Sequence, residues 1–96
     1  MYLIRDTFQC KPGKAKELVQ KFKDAKPFME EQKFKNVRLM TDAVSNYWTV
    51  VLEMEVDSLV VFEDRRGFTS KPEVQEIMKD YMTLVEGGKR EIFNIE

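Results

Sequence analysis

Residues 47–58 read YWTVVLEMEVDS, and the way this stretch is folded decides how the rest of the chain is read. Trp48, Val50, Leu52, Met54 and Val56 alternate with Tyr47, Thr49, Val51, Glu53 and Glu55. Successive side chains of a strand point to opposite faces, so this pattern gives one wholly apolar face. The other face mixes Val51 with Thr49 and two glutamates. It is too apolar for bulk water and too charged for a dry core, where an unpaired charge is costly. The strand therefore calls for helices on its first face and partial cover on its second.

Outward from this strand, residues 2–10, YLIRDTFQC, alternate in the same way and are rich in strand formers. Lys11-Pro12-Gly13 breaks the strand, and proline suits a first helical turn because its missing N–H would be unpaired there. Ala15, Leu18, Val19, Phe22 and Ala25 then recur at helical spacing. Lys14, Lys16, Lys21 and Lys23, interrupted by Glu17 and Asp24, read as a solvated helix face. Pro27 is expected to end or kink this helix, with Phe28 and Met29 beginning one further turn. Residues 36–43, NVRLMTDA, form a second strand, and Ser45-Asn46 turns it back into Tyr47–Val56 as a hairpin.

Asp57 or Ser58 is placed to cap a helix containing Leu59, Val60 and Phe62, weakened at Gly67. Ser70-Lys71-Pro72-Glu73 fits a capping box ahead of the stripe Val74, Ile77, Met78, Tyr81 and Leu84 or Val85. Gly87-Gly88 reads as a helix stop, and residues 89–96, KREIFNIE, alternate as a last strand.

The order is β-α-β-β-α-β, an α+β ferredoxin-like arrangement with two helices on one face of a four-stranded antiparallel sheet. On the first strand the helix-facing set is Tyr2, Ile4, Phe8 and Cys10, with Asp6 an awkward member. The opposite face then carries Leu3, Arg5, Thr7 and Gln9 beside Thr49, Val51, Glu53 and Glu55. A second copy of the sheet, related by a two-fold axis, would cover that mixed face and enclose a cavity. The alternative is a monomer with an ordinary solvated sheet face.

With 96 residues, 43% hydrophobic and 34% charged, the chain reads as one globular domain spanning residues 1–96, marginal in size unless it associates. A net charge of -1 gives no electrostatic case for nucleic acid or an anionic membrane. No apolar run is long enough to span a bilayer, and the first residues show no signal-peptide pattern. The one cysteine, Cys10, reads as a buried small apolar residue and fits a reducing cytoplasm. The chain has no histidine, which removes the usual proton shuttle and the commonest metal ligand. No glycine-rich loop follows a strand in a way that would cradle phosphate. Neither a metal nor an organic cofactor is expected.

FQCKPGKAKELVQKF (Phe8–Phe22) resembles the strand–KPG–helix opening of the dimeric α+β barrel superfamily, and within it the antibiotic biosynthesis monooxygenase-like and NIPSNAP-like domains. VVLEMEVDSLVVFEDRR (Val50–Arg66) resembles their third strand running into the second helix. SKPEVQEIM (Ser70–Met78) is similar to their second helical segment, and GGKREIFNI (Gly88–Ile95) to their last strand. These are fold motifs rather than catalytic ones. The resemblance implies a homodimer and, on the monooxygenase side, oxidation of an electron-rich aromatic or quinone-like substrate by dioxygen without a cofactor. On the NIPSNAP-like side it implies a non-catalytic metabolite-binding or assembly domain.

For the first, Arg5 could stabilise a phenolate, Gln9, Thr7 or Asn94 could hold carbonyls, and Trp48 and Tyr47 could stack on a ring. Glu53 joins them as a candidate lining the cavity. The plainer expectations are that Arg5 pairs with Glu53, that Trp48 packs in the core or a dimer contact, and that Asn94 sits on an edge strand.

Overall fold

The computed structural model describes all residues, Met1–Glu96. β1 (Tyr2–Cys10) leads through a turn into α1 (Ala15–Glu31), followed by β2 (Lys35–Thr41) and β3 (Thr49–Val56). Three short helices come next: α2 (Leu59–Glu63), α3 (Arg66–Thr69) and α4 (Pro72–Ile77). A 3-10 turn (Tyr81–Leu84) delivers the chain to β4 (Val85–Asn94). The strands form one antiparallel sheet in the order β2-β3-β1-β4, so the expected α+β ferredoxin-like arrangement is the one observed.

The core forms where the apolar stripe of α1 meets the apolar face of the sheet. Ala15, Leu18, Phe22, Ala25 and Met29 recur every three or four residues and are all buried. They pack on Ile4 and Cys10 of β1 and on Val50, Leu52, Met54 and Val56 of β3. Register fixes the parity: Ile4 lies opposite Met54, Asp6 opposite Leu52 and Phe8 opposite Val50, whereas Arg5 lies opposite Glu53. The helix-facing set read from the sequence, Asp6 included, is therefore correct. Cys10 is buried, and burial raises its thiol above the ordinary value, so it is an inert core residue.

Several local expectations need correcting. Pro12 lies in the turn before α1 rather than in its first turn, and Gly13 takes the left-handed conformation there at φ 79°. Pro27 does not end α1, which runs on to Glu31. Burial of Ala25 and Met29 on either side of it holds the last turns to the core despite the lost hydrogen bond. Ser58 occupies the N-cap of α2, but its hydroxyl makes no capping bond. Ser70 caps nothing at its expected helix start: it closes α3, and Lys71 holds the N-cap position of α4. The expected second helix is thus three fragments.

Gly87-Gly88 is no helix stop. Both glycines lie within β4, opposite Gln9 and Phe8. A Cβ on Gly88 would come within 2.5 Å of the Thr7 carbonyl oxygen, so glycine lets β4 approach β1 there. Trp48 also departs from the strand pattern. Its φ is 63°, the left-handed region, which turns the hairpin into β3 and leaves the residue 43% exposed.

Candidate functional site

Between the sheet and the three helical fragments lies a cleft of about 520 Å³. Its floor is Asp6 and Phe8 of β1 with Leu52 and Met54 of β3. α1 supplies Phe22 and Met29 as one wall, and Phe62, Phe68 and Met78 come from the segment that closes over the top. Phe8 and Phe22 meet with ring centroids 5.3 Å apart and planes inclined at 38°. The cleft forms because α2, α3 and α4 are too short and angular to pack on the sheet as one long helix would. Such a space, mostly apolar with a few polar groups, is what a small-molecule site requires.

Only a few polar groups reach into it. Asp6, 7% exposed, accepts two hydrogen bonds from Arg90: Nε at 2.6 Å to Oδ1 and Nη2 at 3.1 Å to Oδ2. This bidentate pair fixes both planes and satisfies the buried carboxylate. The hydrogen bonds that Arg90 donates to Asp6 hold its pKa above the usual value, against burial, which pulls it down. The Arg90 guanidinium also lies 5.0 Å from the centre of the Phe62 ring, and Arg65 lies 4.3 Å from the same ring. Two cations therefore lie against one aromatic ring of the cleft. Tyr81, Gln75 and Thr69 complete the polar lining.

The residues singled out from the sequence fall elsewhere. Arg5, Thr7, Gln9 and Glu53 share the open face of the sheet, away from the helices. There Glu53, 3% exposed, accepts Arg5 Nε at 2.6 Å and Arg38 Nε and Nη2 at 2.9 and 2.7 Å. Burial pushes the Glu53 carboxyl up, but the hydrogen bonds and charge of Arg38 and Arg5 outweigh it and hold the group below the ordinary carboxylate value. The plainer expectation for Arg5, a pair with Glu53, is the one observed. Gln9 receives the Thr49 hydroxyl at 3.4 Å and donates to the Tyr47 carbonyl.

Trp48 lines a separate shallow groove with Lys16 and Val19, so in the single chain it is not core. Asn94 pairs opposite Tyr2 on the edge strand β4 and shares no face with Arg5. None of the six lines the cleft. The residue pair that sequence reasoning missed is Asp6–Arg90. Its one signal was a charged residue at helix-facing parity on β1 and another on the last strand.

No group of three or more histidine, cysteine or carboxylate side chains is arranged to hold a metal ion. No helix is long and apolar enough to cross a membrane.

No protein-family model matches the chain, and no curated protein matches it. Solved structures do share its fold. A NIPSNAP family protein from Agrobacterium tumefaciens superposes with a TM-score of 0.84 at 13% identity, covering 99% of this chain and 92% of that one. An uncharacterised NIPSNAP domain protein from Burkholderia xenovorans gives 0.81 at 16% identity, covering 100% and 95%. A protein named, as a candidate only, an antibiotic biosynthesis monooxygenase from Chloroflexus aurantiacus gives 0.79 at 14% identity, covering 99% and 92%. At such identities the likeness is one of fold, shared with NIPSNAP family structures and one named after antibiotic biosynthesis monooxygenases.

Proposed function

We propose that the protein is a small, single-domain, homodimeric α+β barrel protein that takes an aromatic or quinone-like molecule into the helix–sheet cleft and supports its oxidation by dioxygen, in the manner of a cofactor-independent monooxygenase. The observation that carries this is the cleft itself: about 520 Å³, walled by aromatic and methionine side chains, with the Asp6–Arg90 pair at its floor. In such a reaction the substrate is the reductant. In an anthrone a ring methylene becomes a carbonyl, and in a hydroquinone a ring C–H becomes C–OH as the ring is oxidised to a hydroxyquinone; in each case one oxygen atom of dioxygen enters the product and the other leaves as water. The cleft then has only to bind the substrate, orient it and hold water away. The guanidinium of Arg90, fixed in orientation by Asp6, offers its remaining N–H groups as preorganised donors beside a developing enolate. The single buried thiol of Cys10 fits a reducing compartment, and we place the protein in the cytoplasm.

A second reading, a non-catalytic metabolite-binding or assembly domain, is favoured by the open sheet face. Glu53 is nearly inaccessible in one copy, clamped by two arginines, and Leu3 and Val51 lie on the same face. That face suits a second copy, whose sheet would enclose Arg5, Thr7, Gln9 and Glu53 as the inner wall. The two readings share the dimer and differ in the use of the cleft.

The test is oxygen uptake in air with a panel of hydroquinones and anthrones. Wild type should consume oxygen faster than Met78→Trp, which fills the cleft and keeps both residues of the ion pair. Equal rates in wild type and the filled variant would remove the oxygenase reading. Binding of the same panel without uptake, abolished in Met78→Trp, would leave the binding domain.

A further inference from the structure

We propose that the cleft selects a monoanionic aromatic ligand and that Arg65 is the residue that holds the anion, a step that rests on the cleft being a small-molecule site. Three charged residues line the cleft: Asp6, Arg65 and Arg90. Asp6 and Arg90 neutralise one another through two hydrogen bonds. Arg65 is left over. The arginine ion pairs of the chain are Arg5–Glu53, Arg38–Glu53 and Arg90–Asp6, and Arg65 belongs to none of them.

Its surroundings hold it in place without cancelling its charge. Nη1 donates to the Phe62 carbonyl at 3.1 Å, and the guanidinium lies 4.3 Å from the Phe62 ring. Glu63 and Asp64 share a separate polar hollow with it, yet neither forms an ion pair with it. The cleft thus carries one unit of positive charge in excess among apolar walls, where an opposite charge is bound more strongly than in water. A guanidinium already seated on a ring presents its remaining N–H groups as a planar fork, the geometry that suits a carboxylate, sulfonate or phenolate oxygen. An aromatic ligand whose ring contacts Phe62 or Phe68 would bring its acidic substituent to that fork.

The test uses two fluorescent probes with the same ring system. Anilinonaphthalene sulfonate carries one negative charge, and phenylnaphthylamine is neutral. Wild type should bind the sulfonate more tightly than the neutral probe, on the order of tenfold, the effect of one charge-assisted hydrogen bond. Arg65→Gln should abolish that preference while leaving the neutral probe bound, and Arg66→Gln, off the cleft, should leave it intact. Near-ultraviolet circular dichroism of each variant confirms that the probes report a folded cleft. If both probes bind equally in wild type, or Arg65→Gln keeps the preference, the anion proposal fails while the cleft survives as a binding site. If neither probe binds, or Met78→Trp binds both as well as wild type does, the cleft reading fails with it.

Discussion

Glu53 illustrates how much one side chain can depend on its neighbours. Alone, a carboxylate this buried would be protonated or expelled; between Arg5 and Arg38 it stays charged. Glu53→Gln should therefore lower stability by about 1–2 kcal/mol, discounted from the full cost of breaking a buried pair because both arginines reach solvent. Chemical denaturation at pH 7 measures it, and an unchanged midpoint would mean that the clamp contributes nothing. The pH dependence follows from the direction of the shift. A group whose folded pKa is depressed lends stability above the unfolded value, about 4.3 for glutamate, and loses it as pH falls through the folded value. Wild type should thus lose stability on acidification below about pH 4.5, with Asp57, held low by the hydrogen bond from Lys35, acting in the same direction. Glu53→Gln should show a shallower loss. Parallel pH profiles for the two proteins would exclude Glu53 as the source.

Among the elements, the helical fragments differ most from the strands. α2, α3 and α4 have five, four and six residues, too few to persist without tertiary support. Their anchors are few. Val74 is buried, Lys71 reaches Glu31 at 3.1 Å, and Lys21 Nζ donates to the Ile77 and Lys79 carbonyls at 3.1 and 2.8 Å. Lys21, expected on a solvated face, is thus a latch for the end of α4. Amide exchange over residues 59–79 should run at least tenfold faster than in β1 and β3, because the segment can open without breaking the sheet. Uniform protection across the chain would refute that.

The same contrast explains what the sequence made legible. The strands and α1 announced themselves because periodicity and burial agree, as in Ile4, Phe8 and Cys10 against Leu18 and Phe22. Ser70 and Glu73 carried the right letters for a capping box, yet the chain used Ser70 to finish α3. Gly87-Gly88 carried the letters of a helix stop, yet tertiary contact with Thr7 drew both into a strand. The cleft was the least legible feature. Its polar floor joins two residues 84 positions apart, and no local pattern connects them.

At the scale of the whole molecule the chain is a slab, 35 × 35 × 18 Å, with helices on one broad side and the sheet bare on the other. The bare side carries Leu3, Val51 and Phe93 among its charges, and Arg5 lies 5.3 Å from the Phe93 ring. Sedimentation at micromolar concentration should give a particle of about twice 11.4 kDa. Val51→Glu, which adds a charge to the middle of that face, should shift the population to monomer by at least tenfold in dissociation constant, the cost of burying one unpaired charge. A monomeric wild type would refute the two-fold assembly and, with it, an enclosed wall of Arg5, Thr7 and Gln9.

Arg5 and Asp6 are consecutive, yet one answers to Glu53 on the bare side and the other to Arg90 in the cleft. Inserting or deleting a single residue early in β1 would therefore not be a local lesion. It would trade the two sides wholesale, sending the cleft's carboxylate to the outside and the clamp's guanidinium into the core. A change of two residues would restore the alternation. The length of β1, counted as odd or even, in this sense binds the fold more tightly than the identity of most of its letters.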